Sequence, residues 1–148
     1  EFIANKENKT ASEVLNILNK ESGVYGLSGV SSDFRDVKAA RAEGNKVAAA
    51  ALDAYAYRVA KYIGAYTAAM NGVDVLVFTA GLGENGISFR EEICADMDFF
   101  GIKVDKDRNN CRGIEKLISP DDAKVKVLVI PTNEELVIAR DTRDIVRK

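Results

Sequence analysis

The sequence predicts an α/β fold in which helices alternate with short, largely buried strands. A continuous apolar run at residues 75–78 is typical of a strand that lies inside a parallel sheet, and residues 125–130 predict a second strand. Helical periodicity separates them, and a composition that is 47% hydrophobic and 30% charged over 148 residues suffices for a packed core. A parallel sheet with so small a number of strands has unpaired edges that it cannot bury well. We therefore expect residues outside this sequence to complete the sheet.

The first third of the sequence predicts two short helices. Thr10 and Glu13 form a capping-box pattern before apolar residues at helical spacing, and this helix ends near residue 22. Residues 23–33 are rich in glycine and serine, which indicates a loop. The run Ser31-Ser32-Asp33 supplies N-caps for a helix that extends to about residue 43.

The strongest helical signal extends from residue 46 to about residue 71. Apolar residues recur three and four positions apart, and charged residues such as Asp53 and Arg58 exclude a membrane-spanning segment. The helix carries an aromatic stripe, which is typical of a packing or subunit-contact surface. Its members are Tyr55, Tyr62 and Tyr66.

Two further capping-box patterns predict the remaining helices. Ser88 and Glu91 precede a helix that reaches about residue 97, and Thr132 and Glu135 precede one that reaches about residue 142. Between them, residues 102–104 predict a short strand, and the polar residues that follow predict a turn.

Composition excludes several kinds of site. A net charge of −2 gives no basic surface for nucleic acid, and no basic amphipathic stretch indicates membrane binding. Histidine is absent and the two cysteines form no C-x-x-C, so this sequence alone cannot build a zinc site or a histidine-dependent triad. Two widely spaced cysteines suit a reducing, cytoplasmic location. The start without methionine leads us to expect a piece of a longer chain.

The turn after the first strand, GLGENG at residues 81–86, matches the G-x-G-x-x-G fingerprint of NAD-binding folds. Asp105 follows at about the 20-residue spacing expected for a ribose-binding acid. Three features weaken this interpretation. The capping pattern begins the helix at Ser88, beyond the glycines; Glu84 would repel a pyrophosphate by about 1 kcal/mol; and many helical residues precede a unit that normally opens its domain.

The same turn suits the nucleoside end of a mononucleotide. Glu84 and Asn85 can accept from and donate to ribose hydroxyls or a base edge, and Gly81 and Gly83 let a flat ligand approach the backbone. A bare strand-to-helix connection is the alternative.

Three segments resemble signature sequences of the acetate kinase family, in the same order and at the same spacing. They are SGVSSDFRD at 28–36, VFTAGLGENG at 77–86 and VIPTNEELVIARDT at 129–142. The long alanine- and tyrosine-rich helix is also similar, so the resemblance covers nearly the whole sequence. It implies the C-terminal portion of an enzyme more than twice as long.

The resemblance implies a ribonuclease H-like domain of the actin, sugar kinase and Hsp70 ATPase superfamily, present only in part. Residues 1–148 would form a single incomplete nucleotide-binding domain, and residues 132–148 a C-terminal helix able to pack on the missing N-terminal domain. The implied reaction transfers the γ-phosphoryl group of ATP to acetate, with Mg²⁺, and catalysis rests on positioning and charge neutralisation. The implied partners are ATP or ADP, acetate or another short carboxylic acid through the missing part, and a second copy in a homodimer.

The resemblance also assigns residues. Asp33, Phe34 and Arg35 correspond to a nucleotide-contacting segment, and Glu135 to a glutamate associated with Mg²⁺. The adenosine-binding loop corresponds to Gly81, Leu82, Gly83, Glu84 and Asn85, with leucine at a position where isoleucine is common. No catalytic residue falls in this sequence, because those residues belong to the missing part, and the chain alone is expected to be inactive.

Alternatives remain for these assignments. Asp33 could serve only as an N-cap, Arg35 could be a solvated helix charge, and Glu135 could fold back as the third residue of a capping box. A second hypothesis is a non-catalytic association module that uses the long tyrosine-bearing helix and an unpaired sheet edge. A third is the NAD-binding unit.

Overall fold

The computed structural model describes residues 1–147, which fold into nine α-helices and three β-strands. The chain divides into two compact units, Glu1–Val59 and the residues from Ala60 onward. The division falls inside the longest helix, α5. The single incomplete nucleotide-binding domain expected over residues 1–148 stays a prediction, and residue 148 lies outside the described residues.

The first unit is helical. Its elements are α1 (Phe2–Glu7), α2 (Ala11–Asn16), a π-helical turn (Ile17–Glu21), α3 (Gly23–Ser28), α4 (Phe34–Ala42) and the first part of α5 (Lys46–Ala69). The first capping box is confirmed, since Thr10 donates its backbone N–H to Glu13 Oε2 at 2.7 Å and accepts the N–H of Glu13 at 3.3 Å. The prediction of a loop from residue 23 is wrong, because residues 23–28 form helix α3. Gly23 and Gly29, both with φ of 65°, let the chain enter and leave a short helix there.

Helices α4 and α5 confirm the prediction to within a few residues. Asp33 caps α4, and Asn45 caps α5 by accepting the N–H groups of Val47 and Ala48 at 3.0 Å. Val37 and Leu52 are fully buried and contribute to the core of the first unit.

The second unit contains the sheet. Its strands are β1 (Val75–Phe78), β2 (Lys116–Leu117) and β3 (Lys126–Val129), in the order β1-β3-β2. Strand β1 pairs parallel with β3, and β2 pairs antiparallel with it. The predicted strand at residues 102–104 is wrong, because Ile102 forms only an isolated bridge to Val125.

The two faces of β1 are not equally covered. On one face Phe78 is only 8% exposed, whereas Val75 and Val77 on the other face are 49% and 43% exposed. The expectation that the first apolar run is buried on both faces is therefore wrong for residues 1–147. Strand β1 is an edge strand, and the described part of the chain leaves these two valines about half exposed.

Four α-helices and a 3₁₀ turn complete the second unit. They are α6 (Ala80–Asn85), α7 (Ile87–Cys94), the turn Asp98–Phe100, α8 (Lys106–Asn109) and α9 (Glu134–Val146). Helix α8 replaces the predicted turn, because Asp105 Oδ1 accepts the N–H groups of Asp107 and Arg108 at 3.0 and 2.9 Å. Asp105, the candidate ribose acid, is thus an N-cap.

The two later capping-box predictions are wrong. Helix α7 begins at Ile87 with Gly86 at its N-cap and no side-chain cap. Helix α9 begins at Glu134, and its cap is Asn133, whose Oδ1 accepts the N–H of Leu136 at 3.0 Å. Helix α6 begins at Ala80, directly before Gly81, so the objection that the helix starts beyond the glycines of the NAD-binding fingerprint is also wrong.

None of the helices within residues 1–147 is both long and apolar enough to cross a bilayer.

Candidate functional site

The parallel pairing of β1 and β3 places the carboxyl ends of both strands at one edge of the sheet. Phe78 pairs with Val129, and the N–H of Ile130 donates to the carbonyl oxygen of Phe78 at 3.0 Å. The chain passes from β1 into α6 and from β3 through a short connection into α9. Ligands of open α/β sheets bind outside this edge. The predicted glycine segment and Glu135 both follow strands that end there, which is where a ligand is expected.

A hydrogen-bonded contact joins the two connections. Glu84 Oε1 accepts the N–H of Thr132 at 2.7 Å and its hydroxyl at 3.0 Å. The bond from the backbone N–H of Thr132, followed by those from its hydroxyl and the N–H of Ala80, holds the pKa of Glu84 below its usual range. Glu84 thus fastens α6 to the segment before α9, a role that sequence reasoning missed. Its predicted contact with the nucleotide stays a prediction.

The strand-to-helix turn is sharp because Ala80 adopts a left-handed conformation. Its φ is 59°, which costs a residue with a Cβ about 1–2 kcal/mol. This conformation lets α6 start immediately after Thr79, which serves as its N-cap. Backbone strain of this kind concentrates at functional sites.

The three glycines of this segment face different surroundings. A Cβ on Gly81 would meet nothing within 4 Å, whereas one on Gly83 would lie 3.1 Å from the carbonyl carbon of Phe78. A Cβ on Gly86 would collide with the carbonyl oxygen of Leu82. Gly83 and Gly86 are therefore required for packing, and only Gly81 leaves its side of the backbone open to a ligand.

The other predicted members of the segment are held within α6. Asn85 donates its amide to the carbonyl oxygen of Gly81 at 3.0 Å and is exposed, and Leu82 is half-buried. One buried side chain beneath α6 was not anticipated. Arg90 of α7 is fully buried and donates to the carbonyl oxygens of Gly83 and Glu84 at 2.7 and 3.0 Å.

Glu135 lies in the exposed first turn of α9. Since Asn133 caps this helix and Thr132 is bound to Glu84, the capping role that competed for Glu135 is wrong. Its carboxylate has no hydrogen bond or ion pair with residues 1–147.

Magnesium fits Glu135 only in part. Within residues 1–147, no three His, Cys, Asp or Glu side chains form a group that could hold a metal ion. A single free carboxylate still suits Mg²⁺, which commonly takes one or two carboxylates, waters and the phosphates of a substrate.

The remaining predicted residues belong to the first unit. Asp33 accepts the N–H of Arg35 at 2.8 Å and its Nη2 at 2.6 Å, so the N-cap role is confirmed. The Arg35 guanidinium, followed by its backbone N–H, lowers the pKa of Asp33 to about 2. The Arg35 side chain is 90% exposed. Phe34 packs edge-on against Tyr55 with 4.8 Å between ring centres.

Comparison with curated proteins gives close matches. The model of the Acetokinase family matches residues 1–140. An acetate kinase from Thermoanaerobacter pseudethanolicus is 59% identical over 147 residues, which are 99% of this chain and 37% of the relative. An acetate kinase from Agathobacter rectalis is 61% identical over 143 residues, which are 96% of this chain and 36% of the relative. The chain thus spans little more than a third of these relatives.

Solved structures give the same result. The crystal structure of Porphyromonas gingivalis acetate kinase has a TM-score of 0.89 at 49% identity, covering 98% of this chain and 37% of that one. A propionate kinase from Francisella tularensis has a TM-score of 0.81 at 35% identity, covering 93% and 35%. The predicted α/β fold of the actin, sugar kinase and Hsp70 ATPase superfamily, present in part, is confirmed.

We predict that the pKa of Asp33 depends on Arg35. Replacing Arg35 with alanine removes the side-chain bonds, so the pKa of Asp33 should rise from about 2 toward 3.8. Because the folded pKa is depressed, the stabilisation from this pair is complete above pH 3.8 and is lost as the pH falls toward 2. Carbon NMR titration of the carboxyl group measures the shift, with Lys46→Ala as a control. An unsubstituted protein in which Asp33 titrates near 3.8 would contradict this account.

We predict that alanine affects the free energy of unfolding differently at Gly83 and at Gly81. Gly83→Ala should lower the free energy of unfolding by about 1–3 kcal/mol, because its Cβ crowds the end of β1. Gly81→Ala should leave it unchanged or raise it by up to about 1 kcal/mol, because alanine favours helix and the space is open. Urea unfolding followed by circular dichroism distinguishes them, and equal losses in both variants would show that Gly81 is also packed against protein.

Proposed function

Because this chain belongs to the acetokinase family, we propose that it is the C-terminal, nucleotide-binding part of an acetate kinase. The whole enzyme would transfer the γ-phosphoryl group of ATP to acetate, reversibly, to give acetyl phosphate and ADP. The family membership inferred from the three sequence segments is confirmed by the comparisons. It also favours a mononucleotide over NAD as the ligand of the glycine segment.

The observation that carries the proposal is the open side of Gly81 at the carboxyl edge of the sheet. A flat adenosine can approach the backbone there without meeting a side chain. Leu82, Gly83 and Asn85 would complete the adenosine-binding segment. Glu84, whose Oε1 is held by Thr132, would accept from a ribose hydroxyl through its carboxylate.

Asp33, Phe34 and Arg35 would supply further nucleotide contacts. The Arg35 guanidinium is exposed, and its two bonds to Asp33 Oδ2 hold it in one orientation. A fixed planar cation can stack on adenine or pair with a phosphate. Phe34, packed edge-on against Tyr55, would support the start of α4.

Catalysis would require the rest of the enzyme. The chain spans 37% of the first relative, and the family resemblance places the catalytic residues and the acid pocket outside it. We therefore expect this chain to bind nucleotide without forming an acyl phosphate. Whether the acid is acetate or another short carboxylic acid depends on those other residues, in keeping with a propionate kinase among the similar structures.

Glu135 is our candidate for the Mg²⁺ that would accompany the nucleotide. Bound Mg²⁺ would neutralise charge on the phosphates during transfer. Glu135 would hold it through water, since Mg²⁺ dehydrates reluctantly. We further propose a cytoplasmic location, because two widely spaced cysteines without a disulfide suit a reducing compartment.

Assembly into a homodimer is a second proposal, favoured by exposed aromatic surface on α5. Tyr62 and Tyr66 stack with 6.3 Å between ring centres and are 51% and 63% exposed, and Met70 continues the stripe. An exposed aromatic surface of this kind is typical of protein contacts. A chain that stays monomeric in light scattering at high concentration would exclude the association role for the chain alone.

We predict that the side chain at position 81 controls ADP affinity. Calorimetric titration should show ADP binding to the unsubstituted chain, weakened about tenfold or more, that is by about 1.4 kcal/mol or more, in Gly81→Val because the valine fills the open space. Ser88→Val, at a position that is also exposed but lies outside the segment, serves as the control. Equal ADP affinity in all three proteins, or tight binding of NAD in place of ADP, would contradict the assignment.

We predict that Glu135 links metal to nucleotide. Mg²⁺ should strengthen ADP binding to the unsubstituted protein, and Glu135→Gln should remove most of that effect because a neutral amide is a poor ligand for a hard cation. The neighbouring Glu134→Gln is the control and should retain it. A full Mg²⁺ effect in Glu135→Gln would rule out the metal role.

A further inference from the structure

Arg90 is a fully buried arginine without a carboxylate partner. It belongs to α7, whose residues Phe89 and Ile93 are also buried, and it forms no ion pair with any residue that the structure describes. Burial lowers its pKa, yet an arginine stays charged in proteins. An apolar residue of similar volume would avoid the desolvation of this charge, so the packing of a core does not by itself account for an arginine here.

Five oxygen atoms surround the guanidinium. Nη1 donates to the carbonyl oxygens of Gly83 and Glu84 at 2.7 and 3.0 Å. Nη2 donates to those of Asn109 and Cys111, both at 2.8 Å. Nε donates to the side-chain oxygen of Asn109 at 2.6 Å. These acceptors match the five N–H donors of an arginine in number.

The acceptors lie at the carboxyl ends of two short helices. Gly83 and Glu84 belong to the last turn of α6, and Asn109 ends α8. The partial negative charge of the carbonyl groups at a helix end favours a cation, so these groups take the place of the missing carboxylate. Two of them also accept a backbone N–H, since that of Gly113 bonds to Glu84 at 3.3 Å and that of Cys111 to Asn109 at 2.7 Å. Asn109, itself fully buried, also donates to the carbonyl oxygen of Ile87 at 3.0 Å and so holds α8 against the start of α7.

Helix α6 depends on these external contacts. With six residues it is far too short to be stable by itself. Glu84 holds it at one side through Thr132, and Arg90 holds its carbonyl groups from beneath. Fixing the carbonyl groups of Gly83 and Glu84 fixes the rotation of α6 about its axis, and this rotation decides where the open side of Gly81 points.

We propose that Arg90 is a positioning residue for the nucleotide, acting through α6 without touching the ligand. This inference rests on the proposed function. Its planar fork of donors spans α6 and α8 at once, which a lysine cannot do because its ammonium is a single point charge. Loss of the fork frees α6 to rotate and so weakens nucleotide binding, while strands β1 and β3 keep their pairing.

The test compares Arg90→Lys and Arg90→Met with the unsubstituted chain in calorimetric titration with ADP. Both variants are expected to bind ADP about tenfold or more weakly, the methionine variant more so, because hydrogen bonds from a charged donor are lost. The number of binding sites per chain should stay unchanged. Hydrogen exchange should become faster at the amides of α6 and stay unchanged in β1 and β3. Arg108→Lys, which alters an exposed pair with Asp121 in the same unit, is the control and should bind normally.

Other results would overturn the inference. Fewer binding sites with unchanged affinity would show that Arg90 serves folding alone. Unchanged affinity and unchanged site number would show that α6 needs no such support. If the methionine variant does not fold, the lysine variant decides between these outcomes, because it retains the charge and most of the volume. An unsubstituted chain that binds no ADP would instead overturn the proposed function, and this inference with it.

Discussion

The parallel pairing of β1 with β3 is the constraint on which the second unit depends. The register from Val75 opposite Lys126 to Phe78 opposite Val129 makes both strands end at the same level. Two connections that are far apart in the sequence therefore leave the sheet side by side. Their proximity makes the bond between Glu84 and Thr132 possible, two residues before the start of α9.

Steric and electrostatic requirements then shape the glycine segment. Gly83 lets α6 pack against the end of β1, and Gly86 lets the chain turn from α6 into α7. Arg90 donates five hydrogen bonds to oxygen atoms at the ends of α6 and α8. Once these packing roles are filled, Gly81 alone remains open. The proposed adenosine contact is therefore restricted to the Gly81 surface of α6.

The sequence predicts those elements whose signals are local. The helix at Lys46–Ala69 has a long periodic pattern, the strand at Val75–Phe78 is a continuous apolar run, and Asp33 caps the helix expected after it. The Thr132 capping box failed because a tertiary partner, Glu84, takes the threonine and leaves the cap to Asn133. Strand β2 has two residues and exists only through pairing with β3, so it has no local signal.

The role of Arg90 also has no local signal. Its acceptors at Asn109 and Cys111 lie about twenty residues away in the sequence, and an arginine in a helix with neighbouring glutamates is typical of a solvated surface. The resemblance to a family identified the segments around Asp33 and Gly81 as candidate nucleotide contacts. Their residue types alone are equally compatible with an N-cap at Asp33 and a simple strand-to-helix turn at Gly81. The contacts of each side chain came only from the fold.

A crystal structure of the protein with ADP and Mg²⁺ tests the central claim most directly. The account predicts adenosine against the Gly81 surface of α6, with Glu84 still bonded to Thr132 and the metal within one water molecule of Glu135. Adenosine bound elsewhere, with the Gly81 surface covered by protein, would contradict it.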